Sequence, residues 1–100
     1  MYATIRRYIG NSTLADQLAA RSDEVKALIE PIEGFRAYYM VRATDGAASI
    51  TVCEDQAGAD ESNRRAAEWI QQNMPEIAVA PPEVSAGDVV ISLAAITTHA

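Results

Sequence analysis

Apolar and polar side chains alternate from Tyr2 to Ile9 in a segment rich in β-forming residues, which predicts a first strand. Gly10-Asn11-Ser12 interrupts it, and Ser12 or Thr13 is placed to cap a helix, with Asp16 three residues after Thr13. Leu14, Leu18, Val25, Leu28, Ile29 and Ile32 then recur at helical spacing and predict one continuous helix that ends near Pro31 and Gly34. Phe35–Thr44 and Ala47–Glu54 flank Asp45-Gly46, a strong hairpin signal. With Asp45-Gly46 as the loop, Thr44 faces Ala47, Val41 faces Ile50, Tyr39 faces Val52 and Tyr38 faces Cys53. One face of the hairpin is then apolar and the other mixed.

Asp55 is a second cap. Ala59, Asn63, Ala66, Ala67, Ile70 and Met74 form a narrower stripe on a second helix, closed by Pro75 and then Pro81-Pro82. Gly87–Leu93, with Val89, Ile91 and Leu93 on one side, predicts the last strand, and residues 94–100 form a tail with no element assigned. The order β-α-β-β-α-β with right-handed crossovers predicts an α+β, ferredoxin-like fold. Its sheet has four antiparallel strands with strands 1 and 3 central, and two helices on one face. One hundred residues suit one domain, with a core over about residues 2–93. The apolar face, with Val41, Ile50 and Ile5, is expected under the helices. The opposite face, with Tyr8, Tyr38, Met40 and Thr51, is too apolar to be left in water, which predicts a homodimer closing over it.

The net charge of −6 and pI near 4.6 argue against nucleic acid and anionic membrane surfaces, both of which recruit cations. No apolar run approaches a membrane span. A single cysteine, Cys53, excludes an intrachain disulfide and fits a cytoplasmic protein. No metal-ligand spacing, phosphate loop, dinucleotide fingerprint or nucleophile elbow occurs, so neither metal nor cofactor is expected. Asp60, Glu61, Arg64 and Arg65 read as a solvated helix face with Asp60–Arg64 and Glu61–Arg65 pairs.

The stretch Ile32-Glu33-Gly34-Phe35-Arg36-Ala37-Tyr38-Tyr39, following a helix and opening a hairpin, resembles the Gly-Phe turn of antibiotic biosynthesis monooxygenase-like domains. These belong to the dimeric α/β-barrel superfamily. The opening Tyr2–Tyr8 and the segment Glu54–Asn63 are similar to small stand-alone bacterial members of unassigned function. The resemblance implies a homodimer with facing sheets and an enclosed pocket. Some members oxidise phenolic polyketides without metal or flavin, and others degrade heme. Trp69 matches the family's tryptophan on the second helix in type and place. Strand 1 carries Thr4, Arg6 and Tyr8 rather than the family's Asn, and no His precedes His99, a departure from the heme-degrading pattern.

The expected pocket lies between sheet and partner, lined by Arg6, Tyr8, Tyr38 and Thr51, with Trp69 near its mouth. Arg6 has two readings: an anchor for an anion or carbonyl, or one half of a salt bridge. Cys53 reads as a buried structural thiol. The functional expectation is a small-molecule-binding protein, whose catalytic form is a cofactor-independent monooxygenase acting on a small aromatic or enolisable compound. The alternatives are a non-catalytic ligand-binding or sensing module and a purely structural dimer.

Overall fold

A computed structural model describes residues 1–10, 13–78 and 81–95. The elements are β1 (Tyr2–Ile9), α1 (Leu14–Ala20), α2 (Ser22–Ile29), β2 (Phe35–Ala43), β3 (Gly46–Cys53), α3 (Gln56–Asn73), the single turn α4 (Pro75–Ala78) and β4 (Glu83–Asp88). The strands form one antiparallel sheet in the order β2-β3-β1-β4, with β1 and β3 central as the topology requires. The expected ferredoxin-like α+β architecture is therefore present. Ser12 and His99 lie outside the described residues.

The first helix is not continuous. Arg21, at φ −116° and ψ 32°, separates α1 from α2. The apolar stripe has a gap there, between Leu18 and Val25. Ser22-Asp23-Glu24 supplies the small and acidic residues that favour a fresh helix N-terminus. The expected capping box at Thr13 does not form; the Thr13 hydroxyl instead accepts from Gln17 Nε2 at 3.1 Å. Asp55 does cap α3, accepting from the Gly58 N–H at 3.1 Å. On the outer side of α3, Arg64 pairs with Glu61 and Glu68, and Arg65 with Glu61, so Asp60 is not the partner of Arg64.

The hairpin keeps its faces but slips its partners by two. Ala43 pairs with Gly46, Met40 with Ser49, Tyr39 with Ile50 and Tyr38 with Thr51, which leaves Thr44-Asp45 as the loop. A two-residue slip preserves which side chains share a face. Gly46 is drawn into β3 by its neighbour: at φ +148° a Cβ there would lie 2.0 Å from the Tyr8 carbonyl oxygen, so only glycine admits the approach of β1. Gly34, at φ +82°, turns the chain from α2 into β2, and its carbonyl accepts from the Glu54 N–H at 2.8 Å. A bulge at Arg36 completes that turn.

Two expectations are overturned. The last strand is Glu83–Asp88 rather than Gly87–Leu93. The sheet is also the other way up. Thr4, Arg6 and Tyr8 of β1, with Ser49, Thr51 and Cys53 of β3, are buried beneath the helices. Ile5, Ile9, Tyr39 and Val41 face outward and are exposed. The core under the helices joins Tyr8 and Ala47 to Leu14, Leu18, Ile70 and Met74, and Cys53 to Ile29 and Ile32. The inversion has a physical reason: α3 turns Ser62 and Asn63 toward the sheet, and these satisfy the polar side chains of β1.

Candidate functional site

Strand register sets out the inner face in rows. Met40, Ser49, Arg6 and Val84 lie side by side across the four strands, and Tyr38, Thr51, Thr4 and Ala86 form the next row. Tyr8 follows Arg6 by two positions on β1 and so points to the same side. From above, α3 contributes Ser62, Asn63, Ala66, Trp69 and Ile70, while α1 and α2 contribute Leu18, Val25 and Ile29.

At the centre stands Arg6, only 3% exposed. Its Nη1 donates to Asn63 Oδ1 at 2.7 Å and to Ser62 Oγ at 3.4 Å, and its Nη2 donates to Thr51 Oγ1 at 3.4 Å. Thr4 Oγ1 donates to the same Asn63 oxygen at 3.2 Å. Every one of these partners is neutral. Among the described residues no carboxylate pairs with Arg6, whereas Arg7, Arg21, Arg36, Arg42, Arg64 and Arg65 all have acidic partners. Arg6 Nε and Ser49 Oγ are buried without a hydrogen-bond partner.

Arg6, Tyr8, Tyr38, Ser49 and Trp69 line an interior cavity of about 20 Å³. That is room for one water-sized group. Burial pushes the phenols of Tyr8 and Tyr38 above their ordinary range, and the nearby Arg6 charge opposes the shift in both. Both phenols thus stay neutral at physiological pH and present hydroxyls beside a fixed cation. The small cavity lies between two larger clefts. One, of about 410 Å³, runs between α1–α2 and β2, with Leu18, Val25, Ile29, Phe35, Tyr38 and Met40 as its apolar wall. The other, of about 450 Å³, reaches Arg6 and Tyr8 from the side of Asn63, Gln71, Pro82 and Val84.

Four of the five expected residues, Arg6, Tyr8, Tyr38 and Trp69, meet at the interior cavity, and Thr51 joins them by its bond to Arg6. They meet between sheet and helices, not between the sheet and a second copy, because the face that carries them is the covered one. Trp69 is part of the cavity wall, and its ring is stacked under the Arg21 guanidinium at 4.7 Å. Sequence reasoning missed Asn63 and Ser62 as the partners that hold Arg6. Asn63 had been read as one position of an apolar stripe; a polar residue interrupting such a stripe was the available signal. Ser49 was placed on this face without a role. Cys53 is fully buried, and burial pushes its thiol up, with Asp55 adding to the shift.

No family model matches the chain, and no curated protein matches it significantly. Solved structures do. NE2512, a protein of unknown function from Nitrosomonas europaea, superposes with a TM-score of 0.71 at 15% identity, over 96% of this chain and 95% of that one. A monooxygenase from the gene ActVA-Orf6 of Streptomyces coelicolor, in complex with nanaomycin D, gives 0.64 at 14% identity, over 95% of this chain and 91% of that one. SnoaB, a cofactor-independent oxygenase from Streptomyces nogalater, gives 0.49 at 16% identity, over 92% of this chain and 93% of that one. At these identities the likeness is one of fold. The chain has the ferredoxin-like α+β fold seen in antibiotic biosynthesis monooxygenase-like domains, as its Gly34-Phe35 turn and element order suggested.

Proposed function

We propose that this protein binds a small organic compound through an anionic oxygen, with Arg6 as the counter-charge, and that it does so as a homodimer. The carrying observation is the buried guanidinium with neutral partners only. Burying an ion without a counter-ion costs several kcal/mol, and an incoming anion recovers that cost. The orphaned Arg6 Nε and Ser49 Oγ add unused polar capacity next to the same cavity. The 410 Å³ apolar cleft that shares Tyr38 and Met40 with it is of the size that holds small molecules.

The catalytic form of this reading is a cofactor-independent oxygenation of an enolisable or phenolic compound. Deprotonation puts negative charge on the substrate oxygen, where Arg6 stabilises it. The resulting carbanion gives its electrons to dioxygen; one oxygen atom stays on carbon and the other leaves as water. The Streptomyces coelicolor neighbour, a monooxygenase crystallised with a small molecule, supports this form through shared fold. A sensing module would bind the same compounds without chemistry. Thermal melts against phenols, enols and their neutral ethers test the binding. Acidic members are expected to raise the melting temperature and ethers not to. Equal shifts for both sets would refute Arg6 as the anchor. Oxygen uptake with the binding compounds then separates oxygenase from sensor.

The dimer rests on the outward face. Ala3, Ile5, Ile9, Tyr39, Val41, Ala48, Ile50 and Val52 form an apolar sheet surface that no described helix covers. A self-complementary pairing of two such faces is the simplest closure. Among the described residues no helix is long and apolar enough to cross a membrane.

A further inference from the structure

The most strand-like stretch late in the sequence is not in the sheet. Val89, Ile91 and Leu93 alternate as a strand should, yet β4 ends at Asp88, and only Val89 prolongs the pairing, donating its N–H to the Met1 carbonyl at 2.9 Å. Beyond that bond Val90, Ile91 and Leu93 are 89%, 77% and 92% exposed. Large aliphatic side chains left in water forgo about 1.5–3 kcal/mol each. At the opposite edge of the sheet, β2 presents nine residues with no strand on its far side. Such an edge is a template for another strand. The same strand is one wall of the 410 Å³ cleft. All of the cleft's lining comes from α1, α2, Glu30 and β2, so on the sheet side β2 is its last wall.

We infer that segment 90–95 of a second copy adds as a strand along the free edge of β2 and completes the wall of the ligand cleft. The inference rests on the homodimer and ligand reading above. It assigns one occupant to two unsatisfied features, an apolar extended segment and an unpaired edge. Both occur once per chain, so a twofold pair satisfies all four. Strand addition supplies backbone hydrogen bonds, and alternate side chains then face the groove. The reach is sufficient: six extended residues span about 20 Å, whereas packed sheets lie about 10 Å apart. A membrane is the poorer occupant, because the chain carries a net charge of −6. On this arrangement each cleft is built from two chains, so ligand capture depends on association.

Hydrogen exchange on the full chain, at a concentration where sedimentation reports a dimer, tests the inference. The amides of Val90, Ile91 and Leu93 are expected to exchange at least about a hundredfold slower than in an unfolded chain. Truncation after Val89 is expected to deprotect amides within Phe35–Ala43 and to weaken binding of anilinonaphthalene sulfonate, an anionic aromatic probe, at least about tenfold. The paired substitution Ile91→Asp and Leu93→Asp should do the same without shortening the chain. A dimer whose 90–93 amides are unprotected overturns the strand addition and leaves the homodimer standing. A monomer at every concentration overturns both. Unaltered probe binding in the two variants overturns the claim that the segment completes the cleft.

Discussion

The two faces of the sheet are assigned against the usual expectation. Under the helices lie Thr4, Arg6, Tyr8, Ser49 and Thr51, polar and nearly inaccessible. On the open side lie Ile5, Ile9, Tyr39 and Val41, apolar and in contact with solvent. Hydrophobic burial alone would have placed them the other way round. A fold tolerates this arrangement when the polar side carries out a task that an apolar core cannot, and when the apolar side is buried elsewhere. The inner face is thus read as a site and the outer face as an interface, and each reading can be attacked separately.

The largest effect is expected at the outer face. Changing Ile5→Asp together with Val41→Asp puts charges into the proposed interface of both copies. Losing burial of such side chains removes about 1.5–3 kcal/mol each, so the dissociation constant should rise at least about a hundredfold. Circular dichroism should stay unchanged, since both side chains point away from the helices. Sedimentation of an intact dimer would mean that this face is not the interface.

Arg6→Met is next. The side chains are of similar reach, and the change removes a buried charge that has no acidic partner among the described residues. Replacing a buried ion by an apolar group is often neutral or stabilising, so unfolding free energy should hold or rise by about 1–2 kcal/mol. The melting shift produced by acidic ligands should vanish at the same time. Destabilisation by about 3–5 kcal/mol instead would make Arg6 a structural ion whose partner the site reading had missed.

A smaller effect is expected at alkaline pH. Burial holds the Tyr8 and Tyr38 phenols above their ordinary value, so the folded chain keeps protons that the unfolded chain releases. Stability is therefore level below pH about 10 and falls as pH rises above it. Urea titrations of the Tyr8→Phe, Tyr38→Phe double variant should show a shallower alkaline fall. A fall as steep as that of the unmodified chain would detach it from these phenols.

The smallest effect belongs to Arg7, the polar neighbour of Arg6 on β1. It faces outward, half exposed, and pairs with Asp45 at 3.1 Å and Glu83 at 3.9 Å. Arg7→Ser should change stability by less than about 0.5 kcal/mol in a thermal melt. A cost comparable to that of a core substitution would erase the contrast between the two arginines.

How much of this the sequence disclosed follows from what periodicity encodes. Alternation in β1 and in the hairpin told correctly which residues are companions: Tyr38 with Thr51, Met40 with Ser49, Arg6 with Tyr8. It carries no label for the side on which the helices settle, and that choice turned on Ser62 and Asn63, far away in the chain. The two-residue slip at the turn was hidden for a similar reason. Asp45-Gly46 satisfied a local rule, while Gly46 was needed for a contact with Tyr8 that is distant in sequence. The helix break at Arg21 was visible as a gap in the apolar stripe. The β pattern around Ile91 has no neighbouring strand within the described chain, so strand propensity there was real but could not locate the element.

Trp69 is the only tryptophan in the chain, and it sits where the parts of the site meet: against the cavity of Arg6 and Tyr38, beneath the Arg21 corner that joins α1 to α2. A guanidinium stacked on an indole is an electrostatic contact as well as a clasp between helices. The molecule therefore carries its own optical gauge. Intrinsic fluorescence comes from one ring, so a change in its colour or lifetime reports filling of the cavity or lifting of the corner, with no label and no background from a second indole.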